Sequence, residues 1–514
     1  MTTALERPAA VVARPLAGVG SWVVPVSVAV AVLTRLPFLG MAVGQDEAGF
    51  LAVAKQWHSG GTSLYGNYWV DRPPLLISIF RLASMLGGLP ALRLIGCLAA
   101  ALFVLGSARA AHHLAGRTAS RWAAVTAAAL SVTPLLGGLE VNGELLASPF
   151  IAFGIAAVVL SLRTTDQRRA ILMAALGGAA GVAAMLVKQN LADVAVFAAV
   201  AYAVAWRRRE QPGRRVGRLV LGSLAGGAAV VVVLAVWTVS QGTSLSGVLY
   251  AMYPFRIQAG EVMAASGSHN ALARLQSMVW VGLLSGLVPM IALVATKAKA
   301  GRKVPGSWYG LIATIGFGAA SVLLGGNYWM HYLIELTAAV SIAIGVLAAR
   351  KVRLTRVLVM FTVACSAIVW VVALAVPQGS VGTTVGKAIG SAARPGDTIV
   401  AVYGHPDVVE TSGLASPYAY LWSLPVKTLD PQLTALDAVL AGSAPPTWFV
   451  TWDQISSWGV TSGPTSTTVA RDYHRVAMIC GRSIYLRNGL NRPTPIASSC
   501  PPGFHIDAAK ELMP

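Results

Sequence analysis

Apolar residues in this chain fall into long, nearly unbroken blocks separated by short polar segments, not into the two-residue alternation of half-buried strands. The first block runs from Ser21 to Val43 and is followed by a polar, aromatic stretch from Gly44 to Leu76. The next apolar run, Leu75 to Leu86, is only about a dozen residues long, follows Pro73 and Pro74 and carries Arg81. It is too short to cross a hydrocarbon layer of about 30 Å and reads as an interfacial helix. Blocks of spanning character follow at Ala91–Ala111, Arg121–Leu136, Leu145–Leu162, Ala170–Val187, Leu191–Trp206, Leu219–Ser240, Leu272–Ala295, Ser307–Leu324, Leu333–Ala349 and Val357–Val376. The pattern predicts a polytopic α-helical membrane protein of about 11 spans.

Beyond Val376 the pattern changes. Asp397–Tyr403 and Trp448–Trp452 read as short strands, Gln432–Ala441 as a helix between them, and Tyr473–Arg487 as a hairpin turning at Cys480-Gly481. The expected organisation is a tail at 1–20, a membrane domain at 21–376 and a small C-terminal α/β domain at 377–514.

Composition agrees with the blocks: the 514 residues are 55% hydrophobic and only 11% charged, which excludes an ordinary soluble multi-domain protein. A net charge of +19 would point a soluble protein toward nucleic acid. Here the bases sit in clusters between apolar blocks, which is how a membrane protein marks its cytoplasmic side, so no nucleic-acid partner is expected. With the amino end inside, the inner segments hold 22 of the 39 lysines and arginines against three acids, Glu6, Asp166 and Glu210. Counting Leu75–Leu86 as a span would put alternate clusters outside. The first block lacks a cleavage site and reads as a retained span, and an odd span count makes the C-terminal domain extracytoplasmic. Arginine outnumbers lysine 30 to 9 and Ala, Gly and Val abound, a hint of a GC-rich bacterium, so the expected location is a bacterial plasma membrane. Of the four cysteines, Cys97 and Cys365 lie in spans, while Cys480 and Cys500 share the outer domain and are expected to form a disulfide.

Polar chemistry gathers on the outer face. Residues 44–90, the first outer loop, hold Asp46, Glu47, Asp71 and Arg72, an unusual concentration beside a span. Later outer loops add Glu140 and Glu144, Lys188, Arg256, and His331 with Tyr332. Each has a plain alternative. Arg72 and Arg256 could touch lipid headgroups, Lys188 could snorkel at a helix end, His331 could be a structural helix-end histidine, and Glu140 and Glu144 could be solvated loop acids.

An Asp46-Glu47 pair after the first span, an aromatic loop ending in Asp71-Arg72-Pro73-Pro74-Leu75-Leu76, the following Ala91-Leu92-Arg93-Leu94 and a late His331-Tyr332 together resemble the GT-C membrane glycosyltransferases. Within them the likeness is to the bacterial branch related to protein O-mannosyltransferases and lipid A aminoarabinose transferases. It extends over roughly residues 20 to 375, with Arg72 standing where many relatives have lysine. The resemblance implies transfer of a sugar from a polyprenyl-phosphate donor to a glycan, lipoglycan or protein acceptor on the outer face, usually with inversion. Mannose is the first expectation for the sugar and arabinofuranose the second.

That reaction needs a carboxylate to take the acceptor proton and cations to hold the departing phosphate. Asp46 is the expected base. Neighbours in sequence do not share a helix face, so Glu47 is expected to have a separate role, orienting the sugar or a loop base. Arg72, Lys188, Arg256 and His331 are candidates for the donor phosphate, and Asp71, Glu140, Glu144 and Tyr332 for substrate contact. A divalent metal, Mg or Mn, could bridge acids and phosphate, although no ligand spacing requires one. The rival reading is a membrane transporter or lipid-linked substrate flippase, which would need a polar path through the bilayer that the inner segments do not supply.

Overall fold

The computed structural model describes residues 22–58, 60–265, 269–297, 306–376, 378–452, 455, 460 and 463–501. The expected tail at 1–20, part of the inner basic segment at 298–305 and the residues after 501 lie outside them. The membrane part contains α1 (Val23–Leu33), α2 (Gln45–Lys55), α3 (Pro74–Met85), α4 (Leu89–Val132), α5 (Gly143–Arg163), α6 (Gln167–Val187), α7 (Asp193–Arg207) and α8 (Gly213–Ser240). It continues through α9 (Leu245–Met252), α10 (Pro254–Ala265), α11 (His269–Leu284), α12 (Leu287–Thr296), α13 (Ser307–Leu324), a 3-10 segment at Met330–Leu336, α14 (Thr337–Ala349) and α15 (Arg353–Ala375).

Among the described residues seven helical segments are long and apolar enough to cross a membrane, eight if α11 and α12, bent by 74°, count as one. Three features separate this from the expected spans. The blocks at Ala91–Ala111 and Arg121–Leu136 join into α4, which is 44 residues long and broken at Ala115 and Gly116, where φ reaches −145° and +79°. Only Gly116 takes a positive φ, which a residue without a Cβ adopts without strain. Helix α1 stops after 11 residues, ahead of a 3-10 turn at Leu36–Phe38 that contains Pro37, and buried Arg35 between them donates to the Ser131 carbonyl at 2.7 Å. Helix α7 has 15 residues. Helix α3 has 12, too few to cross a membrane, with Leu76, Ile77, Phe80 and Ala83 turned inward and the apolar Leu82 and Met85 exposed.

The C-terminal part comprises α16 (Val381–Ala392), β1 (Ile399–Val402), α17 (Pro406–Ser412), α18 (Ser423–Leu429), α19 (Thr434–Ala441), β2 (Trp448–Thr451), α20 (Gly463–Asp472), β3 (Tyr473–Ile479) and β4 (Arg482–Arg487). Its sheet has the order β1-β2-β4-β3, with β1 parallel to β2 and the other pairs antiparallel. Cys480 and Gly481, both at positive φ, make the two-residue turn between β3 and β4 that right-twisted strands favour. Cys480 is joined to Cys500 in a disulfide.

This sheet unit is docked on the first loop. Trp69 pairs with Tyr420 in a parallel bridge, its N–H donating to the Ala419 carbonyl at 3.0 Å. The Ser416 N–H donates to the Tyr68 hydroxyl at 2.8 Å, and Lys55 forms an ion pair with Glu410.

Candidate functional site

Helix α2 starts at Gly44, whose extended backbone lets its N–H donate to Glu47 Oε2 at 3.1 Å, the reciprocal half of a capping box. Its first turn therefore carries both acids, and the helix sends them to different sides. Glu47 is fully buried. Its Oε2 accepts from Arg93 Nη2 at 2.9 Å and its Oε1 from the Val141 N–H at 2.9 Å. Arg93, at the start of α4, also donates to the carbonyls of Phe38, Leu39, Met41 and Ala42 at 2.7 to 3.1 Å. Glu47 and Arg93 thus tie α2, α4 and the turn after α1 into one knot, because an enclosed charge is tolerated only when paired and hydrogen-bonded. Asp46 faces the other way. It is half-buried, and its Oδ1 accepts from Trp422 Nε1 at 3.1 Å.

The loop after α2 folds on itself through the Ser63–Gly66 and Tyr65–Tyr68 bridges, and the Tyr65 hydroxyl donates to the Arg72 carbonyl at 2.8 Å. This presents Asp71 between two guanidinium groups. Arg72 Nη1 lies 2.8 Å from Asp71 Oδ1 and Arg256 Nη2 2.5 Å from Asp71 Oδ2. Burial raises the Asp71 pKa, but Arg256 and Arg72 outweigh it and hold the carboxyl below its usual range. Burial likewise opposes charge on Arg72, yet Asp71 wins, whereas at Arg256 burial prevails and its pKa falls below the ordinary arginine value. The Arg72 guanidinium also lies 5.5 Å from the centre of the Phe50 ring. Asp46 and Tyr332 are within electrostatic reach of both Arg72 and Arg256.

A second cluster adjoins the first. Lys188, just past the end of α6, forms an ion pair with Glu144 at the start of α5 and lies 4.2 Å from the centre of the Tyr332 ring. His331 Nε2 is 3.9 Å from Glu144 Oε1, and its ring meets that of Tyr332 edge-on at 5.0 Å. Gln189 links the clusters by donating to the Asp71 carbonyl at 3.4 Å. Glu140 lies against the start of α2, where a side chain on Gly44 would come within 2.7 Å of its carboxylate. The first loop and the later polar residues named from the sequence are therefore in one neighbourhood.

Two participants carry roles that sequence reasoning left unassigned. Arg93 was visible as an ionisable residue inside an apolar block, which implies a buried partner. Trp422 had no local signal, since it lies 376 residues from Asp46. The site's acids are largely taken up by cations: Glu47 by Arg93, Asp71 by Arg72 and Arg256, Glu144 by Lys188. Among the described residues no group of three or more His, Cys, Asp or Glu side chains converges as a metal site would.

No protein-family model matches the sequence, and no curated protein matches it. Solved structures do. ArnT from Cupriavidus metallidurans bound to undecaprenyl phosphate aligns over 91% of this chain and 98% of its own, with a TM-score of 0.60 and 14% identity. The apo form of the same protein gives 0.58 and 13%, over 90% and 97% of the two chains. The archaeal oligosaccharyltransferase AglB from Archaeoglobus fulgidus, in complex with an inhibitory peptide and a dolichol-phosphate, gives 0.56 and 12%, over 93% and 76%. At such low identity the likeness is one of architecture, and it spans both the membrane part and the C-terminal sheet unit: the chain has the fold of the GT-C glycosyltransferases.

Proposed function

We propose that this protein transfers a sugar from a polyprenyl-phosphate donor to an acceptor hydroxyl on the outer face of a bacterial plasma membrane. In the topology we adopt, α4 makes two crossings, α1 together with the 3-10 turn that follows it (Val23–Phe38) makes one, and α7 makes one. That gives 11 spans with the amino end inside, and the C-terminal sheet unit outside. The observation that carries the reading is the meeting of half-exposed Asp46 with the Arg72–Asp71–Arg256 cluster, in a fold shared with a protein solved with undecaprenyl phosphate.

In the reaction, the acceptor oxygen attacks the anomeric carbon from the face opposite the phosphate while Asp46 takes the hydroxyl proton. The new C–O bond forms as the bond to phosphate breaks, and the electron pair leaves on the polyprenyl phosphate, with inversion at the sugar. Arg72 and Arg256 hold the departing phosphate, since guanidinium groups present paired donors to its oxygens. Their mutual repulsion is offset by Asp71 between them. Lys188, His331 and Tyr332 complete the phosphate and sugar wall, with Glu144 fixing Lys188. Glu140 stands at the substrate end of α2. Glu47 acts as a positioning residue through Arg93. The acceptor is a glycan, lipoglycan or protein, and mannose and arabinofuranose are the first sugars to try.

The test is to incubate purified protein with polyprenyl-phosphate mannose and polyprenyl-phosphate arabinofuranose and a crude envelope acceptor, reading release of polyprenyl phosphate. Turnover lost in Asp46→Asn is expected. Turnover that persists in Asp46→Asn would overturn the assignment of the base, and transport of lipid-linked sugar without cleavage would favour a flippase.

A further inference from the structure

The contact between Trp422 and Asp46 crosses from the C-terminal sheet unit to the first turn of α2. The indole is seated by shape as well as by its hydrogen bond. Its six-membered ring lies over Gly49, one helical turn beyond Asp46, so closely that a Cβ at Gly49 would come within 2.1 Å of Trp422 Cζ2. The same ring packs on Phe50 at 5.3 Å between centroids, and Phe50 in turn carries the Arg72 guanidinium on its face. One side chain therefore touches the carboxylate, the bare spot on its helix and the ring beneath the phosphate anchor.

We propose that Trp422 is a positioning residue for Asp46, so that the C-terminal unit sets the geometry of the catalytic carboxylate. The inference rests on Asp46 being the base. With Oδ1 held by the indole N–H, rotation of the carboxyl about its last bond is stopped and Oδ2 is left to receive the acceptor proton. Gly49 is the complementary element: any side chain there pushes the indole off α2. Misplacement of a reacting group by about 1 Å is enough to lower a rate by about 100-fold.

Two variants test this from opposite sides of the contact. Trp422→Phe keeps an aromatic ring over Gly49 and Phe50 and removes the N–H. Gly49→Ala keeps both Trp422 and Asp46 and displaces the ring, while alanine itself favours helix over glycine. Both are expected to lower kcat by about 10- to 100-fold, with KM for the lipid donor within about twofold of the parent. Binding of undecaprenyl phosphate by the purified variants is expected to be unchanged. If Asp46→Asn is inactive while Trp422→Phe turns over like the parent, the positioning role falls and the base assignment stands. If Asp46→Asn is itself active, the reading of the site fails first. A loss in Trp422→Phe that appears only as unfolding, with unchanged kcat per folded molecule, would also overturn the proposal.

Discussion

Replacing Glu47 by Gln separates a residue that builds the site from one that reacts in it. The carboxylate has four donors around it: Val141 N–H and Arg93 Nε on Oε1, at 2.9 and 3.5 Å, and Gly44 N–H and Arg93 Nη2 on Oε2, at 3.1 and 2.9 Å. An amide can offer its oxygen to only one of these pairs, so its NH2 must face two other donors. The cheaper orientation puts the NH2 toward Val141 and the long Arg93 Nε contact. That still leaves one buried N–H without an acceptor and a buried guanidinium without its counter-charge. Breaking a buried ion pair by removing one partner costs about 3–5 kcal/mol. Four backbone carbonyls continue to solvate Arg93, which places Glu47→Gln at the lower end, about 3 kcal/mol. Arg93→Met should cost about 5 kcal/mol, because it leaves the carboxylate with only its two backbone N–H donors and no counter-charge and takes the Arg93 donor from four carbonyls, of which only that of Phe38 keeps another among the described residues, the Met41 N–H. Denaturant unfolding in detergent micelles, with donor turnover per folded molecule measured in parallel, checks both. A Glu47→Gln protein as stable as the parent but inactive would refute the structural role, and with Asp46→Asn retaining turnover it would exchange the parts assigned to the two acids.

Asp71→Asn should destabilise by about 2 kcal/mol near neutral pH, less than a fully enclosed pair because the Arg256 side chain is 30% exposed. The folded pKa of Asp71 is depressed, so this contribution is present above the usual carboxylate range and is lost as pH falls through and below it; unfolding of the two proteins compared from pH 7 downward should converge only there. In the C-terminal unit, burial pushes the Asp397 carboxyl up, but hydrogen bonds from Arg492, the Arg394 N–H and Trp448 bring it down to about 2. Asp397→Asn should therefore melt lower than the parent at pH 7 and approach it as pH falls from about 4 toward 2. A constant gap down to pH 2 would contradict that linkage. Cys500→Ser opens a disulfide spanning 20 residues and should lower the stability of the sheet unit by about 3 kcal/mol, read by denaturant titration with and without reductant.

What could be read from the chain was set by which interactions leave a local mark. Charges beside apolar blocks are conspicuous because burying them is unfavourable, and this is why Asp46, Asp71, Arg72, Lys188, Arg256 and His331 could be named before any contact was known. The division of Asp46 from Glu47 was legible too, since helix geometry forbids adjacent residues a common face. The strands stood out as short runs of β-branched, apolar and aromatic residues, and the β3–β4 turn through the Cys480-Gly481 pair. Span boundaries were harder. Apolar runs do not announce that the helix breaks at Ala115-Gly116 or that Arg35, just past the end of α1, reaches across to Ser131. Partners distant in sequence, such as Trp422 on Asp46 or Tyr420 beside Trp69, leave no periodicity to detect.

The docking of the sheet unit on the first loop also has a consequence for how the protein is made. Asp46 leaves the ribosome 376 residues before the indole that holds it. At about 5–20 residues per second, that is roughly 20–75 s in which the helix bearing the acid is already in place and its clasp does not yet exist. The site is therefore completed last, when the final quarter of the chain folds back onto the beginning. On the proposed function, a nascent or truncated chain would insert its helices with Asp46 unclasped, and turnover in a timed synthesis should reach its full rate only after the sheet has closed on Trp69.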